Sequence, residues 1–154
     1  MHKLFVLLAL LSYPALSAPA NVPQKLPVLP LSIIGERGPE KFSVEIASDS
    51  ATQARGLMFR KSMAPNAGML FDFHKPRDVA FWMKNTYIPL DMLFIRNDGT
   101  ISSIAPNATP LSEQGIPSAE PVRAVLELNG GRAAALGIFP GDKVHAAIFG
   151  NAPH

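Results

Sequence analysis

The run Phe81-Trp82-Met83-Lys84-Asn85-Thr86-Tyr87-Ile88-Pro89-Leu90-Asp91 sets one lysine and one aspartate into otherwise apolar sequence. It also holds the chain's single tryptophan. A charge in apolar surroundings must be paired, displaced to water or neutralised. Lys84 and Asp91 are therefore candidates for a charged pair, with Arg55 as a third member. Strand parity over 79–84 puts Trp82, Lys84 and Thr86 on one face and Phe81, Met83 and Asn85 on the other. A tight corner over 85–89 would then bring Asp91 opposite Lys84. Such a pair serves proton transfer, or orients a polar ligand beside Trp82. It can equally be structural, because breaking a buried pair costs about 3–5 kcal/mol.

Other residue types suggest other chemistry. Met58, Met63, Met69, Met83 and Met92 fall within 35 residues. Thioethers suit Cu(I), and His74 could add an imidazole. Their spacing matches no compact metal motif, and methionine as a filler of core gaps is the simpler reading. His74 and His145 would need Asp72 or Glu127 to complete a zinc site, without zinc-site spacing. Ser118, His145 and Asp142 form a triad on paper only, since no nucleophile elbow accompanies them. Glu127 and Asp91 could act as paired glycosidase carboxylates, but Glu127 is expected on the wet face of an alternating strand. No cofactor is expected.

The compartment is read from the N-terminus. Met1-His2-Lys3 is a short basic region, and residues 4–11 are apolar but too short to span a bilayer. Ala18-Pro19-Ala20 then forms a cleavage site, so residues 1–20 are expected to be a signal peptide. Cleavage after Ala20 leaves 134 of the 154 residues. That length suits one domain with its own core. The chain has no cysteine, which excludes disulfides and thiolate chemistry. The 14 basic and 12 acidic residues leave no electrostatic footprint for nucleic acid or an anionic membrane. The chain is expected in the periplasm or outside the cell, with no stable membrane insertion after cleavage.

These residues need elements to position them. Residues 21–30 carry Pro23, Pro27 and Pro30 and read as an extended, mobile leader to a domain over 31–150. Strands are expected at 32–35, 42–46, 69–73, 79–84, 90–95, 101–104, 122–128 and 143–149. Residues 90–95 are apolar on both faces except at Asp91, as in a strand covered on both sides. Asp98-Gly99 marks a tight hairpin. Asp49 or Ser50 can cap a short helix over 51–59, and Gly137 can end another over 131–136. The proline-bearing stretch 105–121 reads as a long loop of the kind that forms lids. Many short strands with two short helices predict a mainly β fold, a single-domain β-sandwich or compact barrel.

Arg55-Gly56-Leu57-Met58-Phe59-Arg60, Gly68-Met69-Leu70-Phe71, the Phe81–Thr86 run and Ile88-Pro89-Leu90-Asp91 occur in order. Asp98-Gly99, Val125-Leu126-Glu127-Leu128 and Gly141-Asp142 follow. Together they resemble the bacterial and archaeal family called domain of unknown function 192. The resemblance implies a small, jelly-roll-like β domain, often exported, with no activity to carry over. It points to Arg55, Arg60, Trp82, Lys84, Asn85, Thr86 and Asp91. The reading is a non-catalytic module that binds a small polar ligand or an envelope component. Its cleft would be built from Arg55, Trp82, Lys84, Asn85 and Asp91, with 105–121 at its rim. The alternatives are a hydrolase or lyase using Asp91 with Lys84 or Arg55, and copper handling through methionine and histidine.

Overall fold

The computed structural model describes residues 20–153. Residues 1–19, which hold nearly all of the expected signal segment, lie outside them.

Among the described residues, nine strands and two short α-helices follow one another, with one 3-10 turn over Ala147–Phe149 after the last strand. They are β1 (Val28–Gly35), β2 (Gly38–Ala47), α1 (Ser50–Arg55), β3 (Ala67–Arg77), β4 (Ala80–Phe81) and β5 (Leu90–Ile95). Then come β6 (Ile101–Ala108), β7 (Ile116–Pro117), β8 (Val122–Asn129), α2 (Arg132–Leu136) and β9 (Lys143–His145). Seven strands form one sheet in the order β6-β5-β8-β3-β2-β1-β9, and β4 pairs with β7 in a small second sheet. The fold is mainly β, as the pattern of short strands predicts.

The sheet curls. Thr100, just before β6, bridges to Lys143 of β9, and backbone bonds join 99–101 to 141–144, so the two edges meet over a short stretch without closing along their length. All seven strands send residues to one enclosed core, from Leu31 and Phe42 to Leu93, Leu126 and Val144. A second core lies on the opposite face and draws on β2, β3, β5, β6 and β8 and on their cover, with nothing from β1 or β9. It holds Met69 and Phe71 of β3, Met92 and Phe94 of β5, Val125 of β8, and Leu57 and Met83 from above. The pair β2–β3 is parallel, and α1 sits in the crossover between them. Parallel neighbours require such a connection. This places α1 beside the outer face.

Local chemistry sets the boundaries. Asp49 caps α1 by accepting from the Thr52 N–H at 2.8 Å, and Thr52 answers toward the Asp49 N–H. The helix stops at Arg55, short of the expected 59, because Gly56 takes φ 47°. Asp98-Gly99 turns β5 into β6, with Asp98 accepting from Thr100 N–H at 2.9 Å. Gly137 ends α2 in the left-handed region at φ 67°.

Three expectations need correction. The strand expected over 79–84 shrinks to Ala80–Phe81. Asn85 turns left-handed at φ 54°, and Thr86 N–H bonds to Met83 C=O, so strand parity fails beyond Phe81. The last strand stops at His145, because the Asn151 side chain bonds Ala146 N–H and Val144 C=O and folds the chain back. The leader is tied down rather than loose. Gln24 donates to Thr52 C=O and Gly56 C=O, Leu26 N–H donates to Glu45, and Pro30 already belongs to β1.

Candidate functional site

Asp91 and Lys84 do not meet. Asp91 shares the parity of Leu93 and Ile95, which belong to the enclosed core. There it is 1% exposed. Its carboxylate accepts from Asn107 N–H at 2.8 Å, Gly131 N–H at 2.9 Å and Ala133 N–H at 2.8 Å. Three donors satisfy a buried carboxylate. The aspartate thus holds the start of α2 and the end of β6 to β5, and offers nothing to a ligand. Lys84 lies on the other side of the sheet. Its ammonium sits 5.0 Å from the Trp82 ring centre and 3.6 Å from Glu113. The expected Lys84–Asp91 pair is therefore replaced by two separate arrangements, with the sheet between them.

The outer face carries a cleft of about 420 Å³. Gln53 and Arg55 of α1, the following Gly56 to Met58, and Phe71, Phe73 and Arg77 of β3 form one side. Asp78, Phe81, Trp82, Lys84 and Thr86 form the other. At the floor stands Glu127 of β8.

Glu127 is the residue that sequence reasoning misplaced. It was expected on a wet face and is 4% exposed. It lies between Met69 of β3 and Met92 of β5 in the sheet register. Both methionines are fully buried. The cause of the error is tertiary: α1 and residues 78–86 cover the face that β8 alone would leave wet. Among the described residues, no hydrogen bond or ion pair reaches its carboxyl group. Burial alone pushes its pKa up to about 8. At neutral pH it keeps its proton and presents an O–H donor and a C=O acceptor. The signal that could have found it was the run Ala124-Val125-Leu126-Glu127-Leu128. Its apolar residues occupy both parities, the mark of a strand covered on both faces.

Gly68 allows β3 to approach at this point. A Cβ there would stand 2.6 Å from the Glu127 carbonyl oxygen. Phe71, Phe73 and Phe81 form an edge-on aromatic wall, with ring centres 4.9 Å and 6.2 Å apart. The Arg77 guanidinium lies 4.7 Å from the Phe73 ring centre. Trp82 is 47% exposed beside it.

Of the seven expected ligand-binding residues, Arg55, Trp82, Lys84 and Thr86 come together at this cleft. Arg55 is partly engaged, donating to Val22 C=O and stacking 4.7 Å from Phe59. Thr86 is buried, and its hydroxyl donates to Lys84 C=O at 3.1 Å. Arg60, Asn85 and Asp91 stay outside. Arg60 pairs with Glu45 at 2.7 Å and donates to Gln24 C=O at 2.8 Å. Asn85 is a corner residue whose C=O receives Phe59 N–H. The stretch 105–121, expected as one long loop, instead holds the end of β6 and all of β7; it contributes Glu113 to Lys84 but does not line the cleft. With Met83 it borders a separate hollow.

The methionines do not converge on a surface. Met69, Met83 and Met92 are sealed in the second core, and Met63 packs against it. His74 bonds Ser48 C=O through Nε2 at 2.7 Å, and its backbone N–H donates to Asp72. Asp72 is also 2.5 Å from Arg123. Among the described residues, no cluster of histidine, aspartate and glutamate could hold a metal ion.

The family model described as Uncharacterized ACR, domain of unknown function 192, matches residues 32–146. The chain belongs to this family. Two solved structures carry the same fold. One is a protein of Sinorhizobium meliloti 1021, named there as a candidate transcription regulator. It is 48% identical with TM-score 0.79, over 81% of this chain and 98% of that one. The other is a protein of unknown function from Novosphingobium aromaticivorans DSM 12444. It is 46% identical with TM-score 0.78, over 85% of this chain and 94% of that one. No curated protein matches. In this domain of unknown function 192 member, Glu127 and Trp82 both fall within the matched span.

Proposed function

We propose that this family member is an exported, non-catalytic module that binds a small molecule in the cleft above Glu127. The observation that carries the reading is the carboxyl group itself. A buried polar group without a partner costs about 1–3 kcal/mol, and a ligand that bonds it recovers that cost. Aromatic walls with a few polar groups are the usual form of a small-molecule site. The N-terminal segment supports export. The near balance of charge gives no support to nucleic-acid binding by this chain, and the S. meliloti relative is named only as a candidate transcription regulator.

Trp82 provides the test. As the sole tryptophan it gives one indole N–H signal in an NMR spectrum. A fragment set of neutral, anionic and cationic compounds should contain some that move this signal saturably. Their effect should weaken in Phe81→Ala. A set that leaves Trp82 unmoved would sink the reading. Fractionation of cells making the full chain checks export.

One observation favours a second reading. An acid with a raised pKa in a cleft is a common form of catalytic general acid. In that case Glu127, rather than Asp91, would serve a hydrolase or lyase. Turnover of a bound fragment, lost in Glu127→Gln, would decide for it.

A further inference from the structure

The charged groups that face the cleft are unevenly placed. Arg55, Arg77, Asp78 and Lys84 stand at its mouth, and Glu127 alone stands at its floor. The lining of the mouth therefore carries three cations and one carboxylate, with Glu113 3.6 Å from Lys84 as a second carboxylate nearby. Arg77 is exposed and, among the described residues, has no ion pair. Its recorded contact is the stack on Phe73. Lys84 is held only by the long approach to Glu113 and the stack on Trp82. Both can turn toward an incoming group. Low-dielectric walls focus the field of such a rim.

The floor is different. No cation reaches Glu127 from β3, β5, α1 or the 78–86 segment, and its upward shift has desolvation as its only cause. The floor thus offers a neutral hydrogen-bonding group, and it lies between the thioether side chains of Met69 and Met92. Phe71, Phe73 and Phe81 line the space between rim and floor.

We infer that the cleft selects a small organic anion with an aromatic or branched apolar body and an oxygen at its far end. The anionic group lies at the Arg77–Lys84 rim, and the far oxygen bonds Glu127. This rests on the binding reading above and adds the ligand's class and direction. A cationic ligand meets like charge at the mouth. An anion without the far oxygen leaves Glu127 unpaired.

Three probes of similar shape test this by the Trp82 indole signal of the full-length protein. Hydroxyphenylpropionate has the anion, the ring and the far hydroxyl. Phenylpropionate lacks the hydroxyl, and tyramine exchanges the carboxylate for an ammonium. Hydroxyphenylpropionate should move the signal saturably. Phenylpropionate should bind about threefold to tenfold more weakly, for the lost bond to the floor. Tyramine should be weaker by about tenfold or more, because like charges meet at the rim. The double variant Arg77→Glu with Lys84→Glu, both at exposed or half-exposed positions, should reverse the order of anion and ammonium. Glu127→Gln keeps a neutral donor and should bind hydroxyphenylpropionate within about threefold at neutral pH.

Tyramine binding as tightly as hydroxyphenylpropionate would overturn the inference. Silence toward all three probes, with response to other fragments, overturns the ligand class and spares the binding reading. Silence toward every fragment overturns both.

Discussion

Asp91 and Glu127 stand on neighbouring strands of one sheet, both buried, with opposite surroundings. Asp91 faces the enclosed core and accepts three backbone N–H groups. Glu127 faces the cleft and accepts none among the described residues. The first carboxylate is embedded in fixed dipoles that replace water. The second lies among apolar neighbours at the base of an opening. A buried acid that the fold satisfies is part of the fold. A buried acid that the fold leaves unsatisfied, at the bottom of an opening, is available to something else.

Removing Asp91 should have the largest effect. Asp91→Ala strips three buried donors of their acceptor and should cost about 3–5 kcal/mol in denaturant unfolding. A loss below about 1 kcal/mol would mean that water or a neighbour can replace it, and the contrast would weaken.

Glu127→Gln should act through pH. Folded Glu127 holds its proton up to about pH 8, whereas an unfolded glutamate releases it near its ordinary value of 4.5. Within that window the folded chain binds a proton that the unfolded chain lacks. Stability therefore falls as pH rises from about 4.5 to about 8, by at most about 1.4 kcal/mol per unit. Above about 8 this contribution is flat. Unfolding curves at several pH values should show this decline in the native protein and a shallower one in Glu127→Gln. Equal slopes would show that Glu127 is solvated or paired.

Smaller effects sharpen the contrast from its edges. Gly68→Ala places a methyl group 2.6 Å from the Glu127 carbonyl oxygen, which is backbone and cannot swing away. It should cost about 1–3 kcal/mol by forcing β3 from β8, and should shift the Trp82 indole signal. Lys84→Ala removes a half-exposed cation that only a 3.6 Å approach ties to Glu113. Its thermal unfolding should change by less than about 1 kcal/mol, while anion binding drops. A large loss of stability there would make Lys84 structural.

Much of the fold was legible because the chain states it locally. Leu90–Ile95 is apolar on both parities and became a strand buried on both faces. Asp98-Gly99 and Gly137 marked a hairpin and a helix end through backbone angles that few residues accept. Half of the site was legible for the same reason. Trp82 and Lys84 are anomalies of type, and they do border the cleft. Asp91 was equally anomalous, yet its parity set it behind the sheet. The corner that was to bring it round to Lys84 does not change which face a strand residue takes. Glu127 was misread because Arg123 and Glu127 mimic the alternation of a half-wet strand. The apolar residues on both parities of Ala124–Leu128 hint that this face is covered, and the packing of α1 and residues 78–86 supplies the cover. That cover comes from parts of the chain far from β8.

The sheet order has a consequence for how the molecule is made. β1 lies between β2 and β9, so the first strand of the domain finds one of its neighbours in the last. Ser32 cannot meet His145 until every residue between them has left the ribosome. Pairings so distant in sequence are slow to form, since loop closure must precede any gain from contact. During synthesis β1 and β2 can form a hairpin, while β9 is still missing from its edge. Under the export proposed above, late completion leaves time to reach the translocation machinery before the curled sheet locks.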